Sequence, residues 1–573
     1  MEQWLLQLLE ADGVYFNVYT QVLRYLAPIL AGLLLLRCIM PLLTFRREPE
    51  IWAWLMLPDG RRLPITHWES VIGRSKRSDV VVGVQSVSRT HAVLTRYDDG
   101  SWSIADADSK AGTFVNGQRI GIQEVEPDDV ISIGGVEMTL LPISRRQEIK
   151  LAELRTKATT PFSSLANVLL LTIFQAMVCL AYLLNGSREN MMSIFWGFAS
   201  IAICQWLLLI FYFCIKKPSF EIESIAFFLC TMGMAAICAV VPHEAGKQVA
   251  ALVLGLVCYL GVGWILRDLE RSKQVRYFAA VAGIAFLVIT LLFGTEYHGA
   301  KNWLIIAGMS FQPSELSKIC FVLVGAVAME RIVNRRNLIL FIIYTLIICA
   351  CLALMNDFGT ALIFFVAFLV IAYMRSGSVG TLALACTSLG FAGVIAVKIA
   401  PHAMSRFQNW RHIWQDPLGA GYQQTRALMC IASGGLFGLG AGNGWFRRVF
   451  AADSDMVFAT VSEEWGLLLS LMMVLCIVAL GLFAFRSAAM QRSSLYAIGG
   501  CTAAAILLVQ TMFNVLGTVD WLPLTGVTLP FVSNGGSSMI GVWGLLAFVK
   551  ASDTRQNASF AVRQSKEGRP DDE

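Results

Sequence analysis

Most of this chain is divided into apolar runs of about 17–25 residues, the length needed to cross a bilayer as a helix. Lipid offers backbone amides no hydrogen-bond partners, so such runs have few alternatives to the helix. From Leu165 onward about twelve candidate spans follow, at roughly 165–184, 191–215, 222–241, 247–266, 277–293, 315–333, 338–355, 358–374, 379–399, 456–485, 496–516 and 536–550. An earlier run, Val22–Phe45, has neither the short core nor the small-residue cleavage site of a signal peptide and reads as a retained anchor. With 56% hydrophobic and only 15% charged residues, an ordinary soluble chain is excluded. The 14 cysteines are scattered, with no zinc spacing and no disulfide framework. No basic tract with interleaved aromatics suits nucleic acid.

Lys and Arg mark cytoplasmic loops. Lys216-Lys217, Arg267/Arg271/Lys273/Arg276, Arg331/Arg335/Arg336, Arg375, Arg486/Arg492 and Lys550 fall on alternate connections. Loops 294–314, 356–357, 400–455 and 517–535 are therefore expected outside, and Met1 with them. Between Phe45 and about Lys157 the apolar pattern gives way to short alternating runs, such as Trp102-Ser103-Ile104-Ala105, broken by Asp-Gly and Asn-Gly turns. That pattern indicates an all-β domain, and Arg46-Arg47 place it in the cytoplasm. The expected fold is a polytopic α-helical membrane protein with an inserted β-sandwich. Its expected parts are an anchor segment (1–49), the β domain (50–145), a linker (146–163), a multi-span domain (164–551) and a disordered tail (552–573).

Within the β segment, Gly73-Arg74, Ser88-Arg89-Thr90-His91, Ser109 and Gly112-Thr113 with Asn116-Gly117 resemble a forkhead-associated (FHA) domain. Such domains are sandwiches whose loops grip a phosphothreonine peptide. The resemblance implies that Arg74 and Ser88 contact the phosphate, Arg89 and Lys110 assist, and His91 braces the loop. Guanidinium and hydroxyl donors suit a doubly charged phosphate. Ala111 stands where the family usually has the Asn that holds the peptide backbone.

The membrane half carries five further motifs over roughly residues 290–550. They are Gly299-Ala300-Lys301-Asn302-Trp303 with Gln312-Pro313-Ser314-Glu315 and Lys318; Asp357-Phe358-Gly359-Thr360-Ala361; Asp416-Pro417 through Gly421-Tyr422-Gln423 with Gly434-Gly435-Leu436-Phe437-Gly438; Asp455 with Glu463-Glu464; and Pro523-Leu524-Thr525-Gly526 to Gly535-Gly536-Ser537-Ser538. In these motifs and their order the segment resembles the SEDS family (FtsW/RodA/SpoVE) of peptidoglycan glycosyltransferases. The chain departs from the family at Asn302 (usually Arg), Asn356 (usually Pro), 451–453 (a Pro and a His lost) and Asn534 (usually Tyr).

The resemblance implies polymerisation of lipid II outside the bacterial plasma membrane, beside a class B penicillin-binding protein, with the FHA domain recruiting a phosphothreonine protein downstream of a Ser/Thr kinase. An α-linked donor giving a β-linked product fits one inverting displacement, which needs a base for the incoming hydroxyl and positive charge for the departing pyrophosphate. Asp416 lies at the family's catalytic position and is assigned as base. Lys301, Trp303, Gln312, Glu315, Lys318, Asp357, Tyr422, Gln423, Asp455 and Ser537 are the substrate-binding candidates. A divalent cation such as Mg or Mn near Asp416 fits the chemistry, but no closed metal site is legible.

Structural alternatives stand beside these roles. Asp before Pro is a common turn residue, interfacial Trp often only anchors, and Asp357 and Asp455 suit helix N-caps. Glu315 and Lys318, one helical turn apart, suit a mutual pair; unpaired in a membrane each costs about 2.5–3.5 kcal/mol. Glu463 and Glu464 carry the same ambiguity. The competing functions are a flippase for lipid-linked precursor and a phospho-dependent scaffold for division or cell shape.

Overall fold

The computed structural model describes residues 13 to 560; the longest internal breaks are 45–50, 148–158, 330–334 and 391–400. Ten of the described helices are long and apolar enough to cross a membrane. One is α1 (Gly13–Leu43), ahead of the β domain. The other nine are α2 (Pro161–Asn185), α3 (Met191–Cys214), α4 (Glu221–Val240), α5 (Ala245–Leu266), α6 (Leu269–Phe293), α8 (Arg335–Leu354), α9 (Phe358–Ser376), α12 (Val457–Ala488) and α13 (Ser494–Thr518). Two further expected spans are shorter helices, α7 (Ser314–Ala328) and α14 (Gly536–Ala551). At 1.5 Å per residue each covers about 24 Å or less, below the roughly 30 Å of a hydrocarbon core. The expected span at 379–399 lies largely outside the described residues, as does most of the 146–163 linker.

Packing follows from where the apolar surface can go. Every residue of α4 from Glu221 to Ala239 is buried, so this helix forms the centre of its half of the bundle. Helix α6 begins earlier than its apolar run because Asp268 caps it, accepting from the amides of Glu270 and Arg271. Helix α12 is broken at Gly466, whose φ of 87° and ψ of 160° are open to glycine but strained for other residues. The 435–440 loop enters the break. Leu467 and Leu468 amides donate to the carbonyls of Gly435 and Leu436, and Leu439 and Gly440 amides donate to those of Glu463 and Glu464.

Two expected loops carry regular structure. Residues 294–314 hold a three-stranded antiparallel sheet, Thr295–Tyr297, Ala300–Ile306 and Met309–Phe311. The long 400–455 segment contains α10 (Pro401–Asn409) and α11 (Tyr422–Gly434).

The β domain is a two-sheet sandwich. One sheet orders Arg62–Ile65, Ala53–Met56, Val136–Pro142, Val130–Ile133, Thr113–Val115 and Gln118–Ile120; the other orders Val80–Val81, Glu69–Gly73, Ala92–Arg96, Trp102–Asp106 and Ile122–Val125. Leu55, Ile131 and Leu140 from the first meet Ile72, Leu94 and Ile104 from the second in one core. The sandwich touches the membrane domain where His67 Nδ1 lies 2.8 Å from the Gln491 carbonyl.

The tail differs from expectation over its first residues. Asp553 and Arg555 are buried, and Arg555 pairs with Asp553 at 2.7 Å and with Glu221 at 3.3 Å. Lys550 pairs with Glu223 at 3.1 Å. Two acids at the start of the buried α4 require cations, and the chain after α14 supplies one of them. Phe560 packs against Tyr212 and Tyr259. Residues 561–573 lie outside the described residues.

Candidate functional sites

In the sandwich, loops between strands bring Arg74, Ser88, Arg89 and Lys110 to one end. Ser88 is half-buried and the three cations are exposed. The Ser88 hydroxyl accepts from the Lys110 amide at 3.1 Å, joining two of the loops. His91 is fully buried and spans the same gap: its Nδ1 accepts from the Ser88 amide at 3.0 Å, which leaves Nε2–H to donate to the Gly112 carbonyl at 3.1 Å. A Cβ at Gly73 would lie 2.3 Å from the Arg89 carbonyl oxygen, so only glycine lets the Arg74 loop approach.

Asp106, which sequence reasoning missed, organises the third loop. It accepts from the hydroxyls of Ser109 (2.5 Å) and Thr113 (2.7 Å) and from the Ser109 amide (3.1 Å). Partial burial pushes its carboxyl up, but these hydrogen bonds outweigh it and hold the group below the ordinary carboxylate range. An Asp three residues before a Ser was the available signal.

The membrane-domain candidates gather at one end of the bundle, across several contacts distant in sequence. Asp357 caps α9, accepting from the Thr360 amide at 3.1 Å. Its other oxygen receives Asn302 Nδ2 and Gln312 Nε2, each at 3.3 Å, and the Gln312 amide donates to Ser537 Oγ at 3.1 Å. Asn302, Gln312, Asp357 and Ser537 therefore form one polar cluster. Lys301 is not part of it; its Nζ lies 3.4 Å from the Leu292 carbonyl. Trp303, half-buried, pairs across the small sheet with Thr295. Glu315 and Lys318 are buried and bonded to each other at 2.7 Å.

Asp416 is exposed in the turn before α11, and its two carboxylate oxygens accept from the amides of Gly419 and Ala420, each at 3.0 Å. Tyr422 and Gln423 begin α11; Arg426 lies over the Tyr422 ring, and Gln423 Nε2 donates to the Phe450 carbonyl. Asp455 is half-buried just before α12, close to Gly526. Burial pushes its carboxyl up to about 6, against the pull of Arg406 and with the repulsion of Asp453.

Arg406 was also missed. It sits on α10 ten residues before Asp416 and donates to the Thr525 carbonyl at 3.1 Å, linking α10 to the 523–533 loop. Its only sequence signal was a cation in a short polar helix. Glu463 and Glu464 are buried and hold the loop ahead of them. Glu463 accepts from the amides of Trp445 and Phe446 at 3.0 and 2.8 Å, and Glu464 accepts from the Tyr182 hydroxyl at 2.6 Å. Two departures from the family pattern meet, since Asn534 Nδ2 donates to Asp453 at 2.7 Å and to Glu244 at 3.1 Å. Among the described residues, no three His, Cys, Asp or Glu side chains share a metal-binding arrangement.

The FtsW/RodA/SpoVE family model, described as cell cycle protein, matches residues 225–557. The chain belongs to this family. A second model, the FHA domain, matches residues 70–134. RodA of Mycobacterium bovis, a peptidoglycan glycosyltransferase, is 29% identical over 327 residues, covering 53% of this chain and 69% of that protein. A probable peptidoglycan glycosyltransferase FtsW of Hydrogenovibrio crunogenus is 29% identical over 342 residues, covering 57% and 87%. A chain from a solved peptidoglycan synthase complex that coordinates polymerization and crosslinking is 26% identical with a TM-score of 0.50, covering 58% of this chain and 96% of that one. All of these alignments leave a large part of this chain unmatched, and the FHA domain lies ahead of the family segment.

Proposed function

We propose that this chain polymerises peptidoglycan glycan strands from lipid II on the outer face of the bacterial plasma membrane, and that its FHA domain recruits a phosphothreonine protein from the cytoplasm. The observation that carries the catalytic reading is the setting of Asp416. An ionised carboxylate has about four lone-pair sites; two are used by the Gly419 and Ala420 amides, and the exposed group keeps the rest for an incoming sugar hydroxyl. The amides fix its orientation, which is what a positioned base needs.

The mechanism is a single inverting displacement. Asp416 takes the proton of the acceptor hydroxyl as that oxygen attacks the anomeric carbon, and the lipid pyrophosphate leaves with the bonding electrons. Developing charge on the pyrophosphate calls for cations. Asn302 supplies none, and it is committed to Asp357. Arg406, Arg411 and Arg426 lie on or beside the elements flanking Asp416 and supply the positive charge.

Sidedness rests on the Lys/Arg distribution. The polar cluster around Asp357, the Asp416 turn and Asp455 share one end of the bundle, whereas Arg375, Gln491 and the FHA domain share the other. A class B penicillin-binding protein is the expected crosslinking partner. The decisive experiment is polymerisation of purified lipid II by the full chain, with and without that transpeptidase. Long glycan strands are expected; no polymer under either condition would overturn the enzyme reading.

A further inference from the structure

Helix α1 lies outside the family-matched segment, yet it packs along α12 from its last turn up to the break at Gly466. At the cytoplasmic end, Arg486 Nη1 donates to the Leu43 carbonyl at 2.7 Å. Midway, Gly32 faces Met472, whose Cε would lie at an ordinary contact distance of 3.6 Å from a Cβ there. At the other end α1 meets the 435–440 loop that fills the break in α12. The Tyr25 and Phe437 rings lie 5.0 Å apart at 58°. A Cβ on Gly440, whose φ is 98°, would come within 2.7 Å of Thr20 Cγ2. Tyr19 ties the same stretch of α1 to α2 through the Met177 carbonyl at 2.7 Å.

That loop leads to the reactive turn through short steps. Leu439 and Gly440 are bonded to the backbone at Glu463 and Glu464, and the Glu463 carboxylate holds the Trp445 and Phe446 amides. Phe450 then receives Gln423, in the first turn of the helix that begins directly after the Asp416 turn. Asn185, at the end of α2, fastens the loop from the other side through the Ala441 carbonyl at 2.6 Å.

We propose that α1 is a positioning element for the outer-face loop, with Tyr25 as its positioning residue, so that the N-terminal helix contributes to polymerisation itself as well as anchoring the FHA domain. This rests on the glycosyltransferase reading for its kinetic consequence, but the grip of α1 on the loop is independent of it. Tyr25 touches no substrate. Its ring acts by packing on Phe437, and a small displacement of a catalytic loop lowers turnover more than binding.

The test uses the full chain in lipid nanodiscs. Tyr25→Ala is expected to speed amide hydrogen exchange at 436–442 and to lower kcat for lipid II polymerisation about tenfold, with KM little changed. Tyr25→Phe, which keeps the ring, restores both. Phe437→Ala reproduces the Tyr25→Ala effect, and the double variant is no worse than either single one, as expected of residues that act only through each other. Wild-type exchange and kcat in Tyr25→Ala would overturn the proposal. Should Tyr25→Ala fail to fold, Phe437→Ala alone carries the same readouts. Should the wild-type chain make no polymer, the polymerase reading fails while the exchange measurement still decides whether α1 holds the loop.

Discussion

Asp416 combines a turn-forming role with a free acceptor face, and those two roles can be separated by one substitution. Asp416→Asn keeps an oxygen for one of the Gly419 and Ala420 amides but no longer takes a proton. Polymer formation from lipid II is expected to fall about 100-fold or more, the usual weight of a general base, while the thermal midpoint stays near wild type. Polymer at the wild-type rate would remove Asp416 from the chemistry. Asp455 makes a different prediction. Its carboxyl is pushed up to about 6 by burial, so between about pH 4 and that value the folded chain holds a proton the unfolded chain has lost. The stability this gives is present at low pH and is lost as pH rises through about 6. Asp455→Asn should therefore raise the thermal midpoint at pH 7.5, and that gain should vanish as pH falls to about 4. A gain that is the same at both values would contradict the buried-acid account. Asp416 and Asp455 were legible as motif residues. Arg406 was not, because its partner Thr525 is 119 positions away and no local pattern announces it.

Among the elements, length and hydropathy located nearly every described span, because the bilayer imposes one length on all of them. What they did not show is how the ends are finished. The insertion of 435–440 into α12 depends on long-range partners, as does the return of Arg555 to Glu221. The helical period did place Glu315 and Lys318 together, and in α7 they neutralise each other. Removing one partner strands a buried charge, so Lys318→Met should cost about 3–5 kcal/mol. Glu315→Gln combined with Lys318→Met should recover most of that, since no charge is then left alone. Thermal unfolding in detergent measures both. A double variant as unstable as Lys318→Met would mean that each residue has a further partner, and the pair would return to the list of substrate contacts.

At the scale of the whole molecule, the two functional ends are joined by α1 and α12 and yet are chemically separate. The two-domain plan was legible because the composition changes sharply near residues 45 and 157, whereas the docking of one domain on the other rests on contacts such as that of His67 with Gln491. That contact lies just before the Glu69–Gly73 strand, and Arg74 lies just beyond its other end. At about 3.3 Å per residue the strand separates them by more than 10 Å. On the proposed reading, a phosphopeptide bound at Arg74 and Ser88 is expected to leave the docking contact untouched and to raise local enzyme concentration through a tether. Arg74→Ala should abolish calorimetric binding of phosphothreonine peptides and weaken septal or lateral-wall localisation in cells, while lipid II polymerisation by the purified chain stays within about twofold of wild type. The contrast with Tyr25→Ala separates recruitment from positioning in one protein. If Arg74→Ala slowed polymerisation as strongly as Tyr25→Ala, the sandwich would be acting on the catalytic face directly, and recruitment alone would no longer explain why a phosphate reader is built into this enzyme.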